Sequence, residues 1–99
     1  MDLVNLTAID RFAKKHRDAA KWLANWVDIA KTAAWQNIQD VRRQFPSADG
    51  VTLKSRVVVT VFNVKGNEYR LLTVIGYAAR RVVVIDVLTH AEYDSEKWK

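Results

Sequence analysis

One histidine in the C-terminal half of the chain stands where it could transfer protons. His90 is one of only two histidines, and imidazole is the side chain that most readily gains and loses a proton near neutral pH. If its strand continues that far, it shares a face with Asp86 and Leu88. Asp86 would then lie about 13 Å away, too far for a direct pair unless the strand ends early. A surface or helix-capping histidine is the alternative interpretation.

A second candidate is a cation inside an apolar strand. Arg70 falls on the same side of its predicted strand as Leu72 and Val74, and a charge among apolar neighbours is costly unless it is paired or reaches water. It is either an arginine at a strand end that extends to solvent or a rigid guanidinium fork that grips a phosphate.

Other chemistries have little support. His90 and Asp94 have a spacing that could share a metal on a helix, but with two histidines and no cysteine the third ligand is missing. We therefore predict no metal and no cofactor. Serine-hydrolase, nucleotide-phosphate and dinucleotide motifs are absent as well. His16 is interpreted as a polar residue at a helix end, and Trp26 as a core residue.

The residues before 46 have helical patterning. Apolar residues recur every three or four positions in three segments, which predicts three helices. We expect Thr7, Asp18 and Asn37 to cap their N-termini, the polar cluster 14–18 to separate the first two, and Pro46 to end the third.

The residues after Gly50 have strand patterning. Residues 56–64, 68–75 and 81–88 are rich in valine and isoleucine and are separated by short turns, which predicts an antiparallel three-stranded meander. Residues 47–50 are predicted to be a turn, and the tail from residue 91 is expected to cover part of one sheet face. Helices followed by strands indicate the α+β class, with N-terminal helices packed on a small antiparallel sheet.

Length and charge restrict the possibilities further. Ninety-nine residues suffice for a single domain, 1–99, and the net charge of +5 favours a polyanionic partner. The N-terminus has no signal-peptide pattern and no apolar run could cross a bilayer, so we expect a cytoplasmic protein with no membrane partner.

Two strings in the second half resemble a known family. Residues 63–72 (NVKGNEYRLL) and 89–94 (THAEYD) are similar to strings of the HigB branch of the RelE-like toxins of bacterial toxin–antitoxin pairs. The resemblance implies a RelE-like fold with a short C-terminal helix. It also implies a ribosome-dependent mRNA endonuclease that uses the RNA 2′-hydroxyl as nucleophile and is neutralised by a HigA-like helix-turn-helix antitoxin.

The resemblance also implies site residues. Arg70 matches the strand arginine that acts at the scissile phosphate, Tyr93 matches a tyrosine near the substrate, and His90 falls near a basic residue of the family. The family's strand lysines would align near Val61 and Asn63, where this sequence has none. The candidate RNA contacts are Lys54, Lys65, Asn67, Arg80, Arg81 and Lys97, of which Asn67 is expected mainly to shape its hairpin.

Two other classes of function remain open at this point. One is a non-catalytic RNA-binding module on the same scaffold, and the other is a protein-interaction domain with a basic surface. Inducible expression, with growth and transcript cleavage followed together, separates both from an enzyme.

Overall fold

Helices precede most of the strands along the chain. The computed structural model describes residues 1–99. Its helices are α1 (Leu6–Lys15), α2 (Arg17–Thr32), α3 (Ile38–Gln44) and α4 (His90–Asp94). Its strands are β1 (Asp2–Val4), β2 (Asp49–Thr52), β3 (Val58–Val64), β4 (Tyr69–Gly76) and β5 (Arg81–Thr89). None of the four helices combines the length and the apolar character needed to span a membrane.

The strands form one five-stranded sheet in the order β1-β5-β4-β3-β2. Strands β2 to β5 are antiparallel neighbours, which confirms the predicted meander of β3, β4 and β5 and the α+β class. The sheet is larger than predicted because β1 joins it in parallel beside β5, with Leu3 opposite Val82. The prediction of a turn over 47–50 is wrong in its second half, since β2 starts at Asp49 and pairs with β3.

The helix ends differ from the sequence prediction at two of three sites. Asn5, not Thr7, precedes α1; it has a left-handed backbone (φ 68°), and its side-chain amide donates to the Val84 carbonyl at 2.9 Å. This bond to the sheet fixes where α1 begins. His16 rather than Asp18 is the residue before α2. The predicted cap at Asn37 is confirmed, because its side chain accepts from the Asp40 amide.

The helices cover one face of the sheet and form the main core. Trp26 and Leu23 of α2 are fully buried against Phe62 and Leu71 of the sheet. The Trp26 and Phe62 rings meet edge to face with centroids 5.4 Å apart, a favoured geometry for aromatic pairs. The interpretation of Trp26 as a core residue is confirmed.

The opposite face of the sheet has a smaller cover. A second buried cluster there includes Leu72 and Leu88, and Tyr93 and Trp98 of the C-terminal tail pack against it. Val57, which lies two residues before Val59 of this cluster, remains more than two-fifths exposed. The prediction that the tail covers only part of this face is therefore confirmed.

The antiparallel register sorts the turns between two ends of the sheet. The turn at residues 65–68 and the start of α4 lie at one end, since Val64 pairs with Tyr69 and Tyr69 with Thr89. We call this the α4 end. The turns at residues 53–57 and 77–80 lie at the opposite end, about 26 Å away along the nine residues of β5.

The outer edge of β5 is unpaired beyond the short β1. Pairing with β1 stops at Val83. Further along, the Val87 amide donates to the Asp86 carboxylate at 2.8 Å, and the Thr89 amide donates to the Glu92 carboxylate at 2.9 Å. Side chains therefore occupy the amide groups that a sheet edge normally leaves open.

Candidate active site

Arg70 is held rigidly on a central strand at the α4 end. It pairs with Asn63 of β3 and Leu88 of β5, and only 9% of its surface is exposed. Its Nη1 donates to the carbonyl oxygens of Asn67 and Tyr69, each at 3.1 Å. These two bonds fix the plane of the guanidinium, and they offset part of the cost of burying its charge.

One edge of the Arg70 guanidinium remains available to a ligand. Its Nε and Nη2 groups donate to no protein atom. Neither atom is completely buried, because the sole fully buried side-chain nitrogen or oxygen without a partner is Nε1 of Trp26. The Nε and Nη2 N–H groups have the forked geometry with which an arginine can bind two oxygens of a carboxylate or phosphate at once.

An aromatic pair lies against this guanidinium. The Arg70 Cζ is 5.4 Å from the centre of the Tyr93 ring, within range of a cation–π interaction. Tyr93 is stacked on Trp98 with centroids 5.1 Å apart and ring planes 15° apart, and the Trp98 Nε1 donates to the Tyr93 carbonyl at 2.9 Å. The Tyr93 ring thus contacts the cation, and Trp98 supports that ring.

His90 is the first residue of α4 and not the last of a strand. The strand-based prediction that it shares a face with Asp86 is therefore wrong, because β5 ends at Thr89. The helix instead brings its Nε2 to 3.1 Å from Asp94 Oδ2, and both side chains are more than half exposed. A carboxylate on one ring nitrogen orients the imidazole and leaves Nδ1 free for a proton.

A capping box positions α4. The Thr89 hydroxyl accepts from the Glu92 amide, and the Glu92 carboxylate accepts from the Thr89 amide. The backbone hydrogen bond from Thr89 is the main reason that the pKa of Glu92 lies below its ordinary value. Charged Glu92 therefore stabilises the helix that carries both His90 and Tyr93.

Lys65 is engaged by an ion pair on the helix side of the same end. Its Nζ is 3.1 Å from Asp18 Oδ2, and the Tyr69 hydroxyl donates to the same carboxylate at 2.9 Å. The Tyr69 hydrogen bond, followed by that of Lys65, lowers the pKa of Asp18, and the bond to Asp18 raises the pKa of Tyr69. Lys65 thus lies at the α4 end with its charge partly neutralised.

Asn67 lies beside Arg70 and lines a groove. Its backbone carbonyl accepts a hydrogen bond from Arg70, and its side-chain oxygen accepts one from the side-chain amide of Asn63 at 3.4 Å. The groove holds about 410 Å³, and Trp22 and Gln44 contribute to its other wall. Gln44 Oε1 accepts a hydrogen bond from the Trp35 indole at 2.7 Å. This bond fixes the orientation of the Gln44 side-chain amide and leaves its nitrogen out of the contact with Trp35. The lining offers aromatic and amide groups and no formal charge.

The remaining predicted RNA contacts are dispersed. Lys54 lies in the turn after β2 and Arg80 and Arg81 lie at the start of β5, all at the opposite end of the sheet. The structure does not bring these three together with Arg70 and His90. Lys97 is exposed in the tail that follows α4, next to Trp98.

No cluster of three or more histidine, cysteine, aspartate or glutamate side chains is arranged to hold a metal ion. His90 and Asp94, whose spacing suggested a shared metal, do lie together, but they supply only two of the three side chains that such a cluster needs.

The match to known proteins covers most of the chain. Residues 19–96 match the sequence model of the HigB toxins, described as the RelE-like toxic component of a toxin–antitoxin system. The chain belongs to the HigB toxin family. The resemblance predicted from residues 63–72 and 89–94 is thereby confirmed.

Individual HigB relatives are similar over nearly their whole length. The mRNA interferase HigB of Escherichia coli O6:H1 is 24% identical over 94 residues, which cover 95% of this chain and 89% of the relative. The mRNA interferase HigB of Shigella flexneri is 26% identical over 94 residues, covering 95% and 88%.

Sequence reasoning missed three contributors to this site. Asp94 was considered only as a metal ligand, although its spacing of four from His90 also fits an ion pair on a helix. Trp98 gave no pattern signal, because its contact with Tyr93 depends on a turn after α4. Asp18 was predicted to cap α2 and instead binds Tyr69 and Lys65.

Proposed function

We propose that this HigB toxin is a metal-independent mRNA endonuclease that acts on the translating ribosome, with the RNA 2′-hydroxyl as nucleophile. The carrying observation is that Arg70, with a free Nε and Nη2 edge, contacts the Tyr93 ring of the same helix that bears the His90–Asp94 pair, within the family to which the chain belongs. The relatives are named mRNA interferases, which supports the same substrate class.

The proposed reaction needs two proton transfers and no protein nucleophile. A base removes the 2′-hydroxyl proton, and the 2′-oxygen forms a bond to the adjacent phosphorus. The bond from phosphorus to the 5′-oxygen then breaks, and that oxygen receives a proton. The products are a 2′,3′-cyclic phosphate and a 5′-hydroxyl end.

Arg70 is assigned to the phosphate. Its fixed guanidinium stabilises the extra negative charge of the five-coordinate phosphorane, because the donors are already oriented before the reaction begins. Its backbone hydrogen bonds at Nη1 leave the forked edge for two non-bridging oxygens.

His90 is assigned to one of the proton transfers. Asp94 at Nε2 positions the ring, so that Nδ1 is the atom that exchanges a proton with the RNA. Asp94 is a positioning residue in this scheme, since it acts through His90. Tyr93 holds Arg70 through its ring and offers an aromatic surface next to the phosphate.

The groove that includes Asn67 fits a nucleobase next to the cut. It is uncharged, it begins at the residue whose carbonyl orients Arg70, and its amides supply donors and acceptors for a base edge. Its volume of about 410 Å³ is within the range of about 300 to 1,000 Å³ that small-ligand sites occupy.

The ribosome supplies what the toxin lacks. The candidate site has few groups to fix an RNA in line, and orientation by a second body such as the ribosome can contribute roughly 7 to 11 kcal/mol to lowering a barrier. We therefore place the active toxin in the cytoplasm, on ribosomes. As the toxic component of a toxin–antitoxin system it has an antitoxin, for which we propose a HigA-like helix-turn-helix protein.

The test is cleavage of messages in a purified translation system. We expect cuts on ribosome-bound mRNA, little cutting of the same RNA alone, and unchanged activity with a chelator at magnesium levels that keep ribosomes intact. A message with one 2′-deoxy nucleotide at the cut site should bind and resist cleavage. Binding without any cleavage would instead identify a non-catalytic RNA-binding module, and neither binding nor cleavage would favour a protein-interaction domain.

A further inference from the structure

A row of valines, one from each strand, crosses the sheet on the face that carries the C-terminal tail. Val83 of β5 pairs with Val74 of β4 on one side and with Val4 of β1 on the other. Val51 of β2 pairs with Val59 of β3. Because the next pair along β3 and β4 joins residues 60 and 73, Val59 and Val74 are neighbours as well. This part of the face is therefore aliphatic from one edge of the sheet to the other.

Most of this row is accessible from outside. Val59 is buried in the second cluster, whereas the other four valines are partly or largely exposed. Val57 lies two residues before Val59, hence on the same face by strand alternation, and is 42% exposed. We call the accessible side chains the valine face: Val4, Val51, Val57, Val74 and Val83. A contiguous apolar patch of this kind is typical of a site where another molecule binds.

Four cations lie at the end of the sheet next to the valine face. Lys54 and Arg56 are in the turn before β3, Arg80 is the last residue of the turn before β5, and Arg81 begins β5. All four are exposed, and none forms an ion pair within the protein. Asp2 is opposite Arg81 in the sheet and is the acid nearest to it in register. The valine face thus has a rim with an excess of positive charge.

The valine face and the candidate active site are neighbours on the same face of the sheet. Val74 and Arg70 both lie on β4, four residues or about 13 Å apart along the strand. The aromatic pair of Tyr93 and Trp98 belongs to the Arg70 side of this face, since Tyr93 contacts the guanidinium. A partner seated on the valine face is therefore beside Arg70 and not on it.

The chemistry of this surface favours a protein partner with aliphatic and acidic side chains. Valine side chains gain free energy when they leave water against other apolar groups, and a phosphate backbone, which binds through charge, offers them no such contact. A second copy of this chain would bring the same four cations to the interface, where like charges repel. The face presents side chains and no free strand edge, so it fits the apolar side of an amphipathic helix.

We propose that the valine face and its cationic rim are the docking site for an acidic amphipathic helix of the antitoxin. The family to which the chain belongs is the toxic component of a toxin–antitoxin system, so an antitoxin is its expected protein partner. The apolar side of the helix covers the valines, and its carboxylates meet the four cations of the rim. The inference rests on the antitoxin of the proposed function and does not depend on the cleavage reaction.

Two adjacent valines test the apolar part of the surface. Val57→Gln alters the valine face, whereas Val58→Gln is the matched control, because Val58 is 48% exposed on the opposite face of the sheet at the same end. Both side chains are well exposed, so both proteins should fold, which circular dichroism and melting temperature verify. The probe is the purified antitoxin encoded beside the toxin gene. We expect Val57→Gln to weaken its binding about tenfold and Val58→Gln to leave it unchanged.

Two paired substitutions test the charged rim. Lys54→Gln with Arg81→Gln removes two rim charges. Lys14→Gln with Arg17→Gln is the control, because it also removes one exposed lysine and one exposed arginine without ion-pair partners, from the junction of α1 and α2. We expect the rim variant to bind the antitoxin more weakly, with a larger deficit at low salt than at high salt. The control should bind as the unmodified toxin does.

Other occupants would give different results on the same proteins. Equal antitoxin affinity in the Val57→Gln and Val58→Gln proteins would overturn the proposal. So would a rim variant that loses affinity only for ribosomes, which would identify ribosomal RNA as the occupant. Loss of self-association in the Val57→Gln protein, with normal antitoxin binding, would identify a second copy and would also overturn it.

Cleavage of ribosome-bound message by the unmodified toxin is scored in parallel. Weaker antitoxin binding by both test variants, together with a toxin that never cuts, would reject the proposed function while the docking site stands. Normal cleavage, together with unchanged antitoxin binding by both test variants, would reject the docking site while the proposed function stands.

Discussion

Arg70 on β4 and Tyr93 on α4 are in contact, with the guanidinium carbon 5.4 Å from the ring centre. This contact joins the rigid part of the site, a central strand, to a five-residue helix near the end of the chain. Because His90 lies on the same short helix, the Arg70–Tyr93 contact also restrains where the imidazole can lie relative to the cation.

Two replacements of Arg70 should distinguish the contribution of its positive charge to the cleavage rate from that of its forked guanidinium geometry. Arg70→Ala should lower the cleavage rate by about 10² to 10³, or roughly 2.7 to 4 kcal/mol, which is typical for the loss of one transition-state donor. Arg70→Lys should recover part of the rate, because a point charge lacks the fork. Single-turnover cleavage measures both.

The alanine variant also leaves the Asn67 and Tyr69 carbonyls without their Arg70 bonds, so its melting temperature must be measured too. A folded Arg70→Lys protein with the full rate would contradict the bidentate phosphate contact.

His90 and its partner should differ in the size of their effects. His90→Gln should slow cleavage by roughly 10² to 10⁴, the usual range for a general acid or base. Asp94→Asn should cost less, because it keeps a side chain near Nε2 but removes the charge that orients the ring. It should also change the pH profile of the rate, which a merely structural residue would not do.

Melting temperatures distinguish catalysis from capping at this position. Both side chains are more than half exposed, so exchange of either should change stability little. A His90→Gln protein with a lower melting temperature and a normal cleavage rate would show that His90 has a structural role and no part in catalysis.

The ring of Tyr93, rather than its hydroxyl, should account for its role. The hydroxyl makes no hydrogen bond within the protein, whereas the ring contacts both Arg70 and Trp98. Tyr93→Phe should therefore retain stability and most activity, and Tyr93→Ala should lose activity through a misplaced Arg70. Loss of activity in a stable Tyr93→Phe protein would show instead that the hydroxyl touches RNA.

Acid should loosen α4 before the rest of the fold. The pKa of Glu92 is lowered in the folded protein from an ordinary value of 4.5, so its stabilisation is complete above that pH and is lost as pH falls through the lowered value. NMR signals of Tyr93 and His90 should shift in this window while those of Trp26 stay fixed.

Glu92→Gln is the matched variant for this prediction, because glutamine can keep the capping bond without titrating. An identical acid response in the Glu92→Gln protein would assign the transition to another carboxylate, such as Asp18.

Elements with local signals could be predicted from the sequence. The cap at Asn37, the stop at Pro46 and the hairpin between β3 and β4 each depend on a few adjacent residues, and all three are present. The three-residue β1 carries too short a pattern, and it pairs with β5 from the other end of the chain. The start of α1 was misplaced for the same reason, since Asn5 is fixed by a bond to Val84.

The candidate site was predictable in residue type and less so in arrangement. Arg70 was identifiable as a charge in an apolar strand, and its side of the sheet followed from alternation. The position of the imidazole was predicted wrongly because the spacing of Thr89 and Glu92, a local capping-box signal for a helix start, was not used. Arg81 was predicted as an RNA contact of the same site, although the nine-residue strand β5 separates it from His90.

The outer edge of β5 limits how this toxin can meet other chains. A foreign strand that added beside residues 84–89 would need the amides of Val87 and Thr89, which Asp86 and Glu92 already occupy. The edge strands of two toxin copies are therefore hindered from pairing into a longer sheet at high concentration. A strand that displaced Glu92 from the Thr89 amide would break the capping box and move His90. A strand bound at this edge and an intact α4 are therefore mutually exclusive.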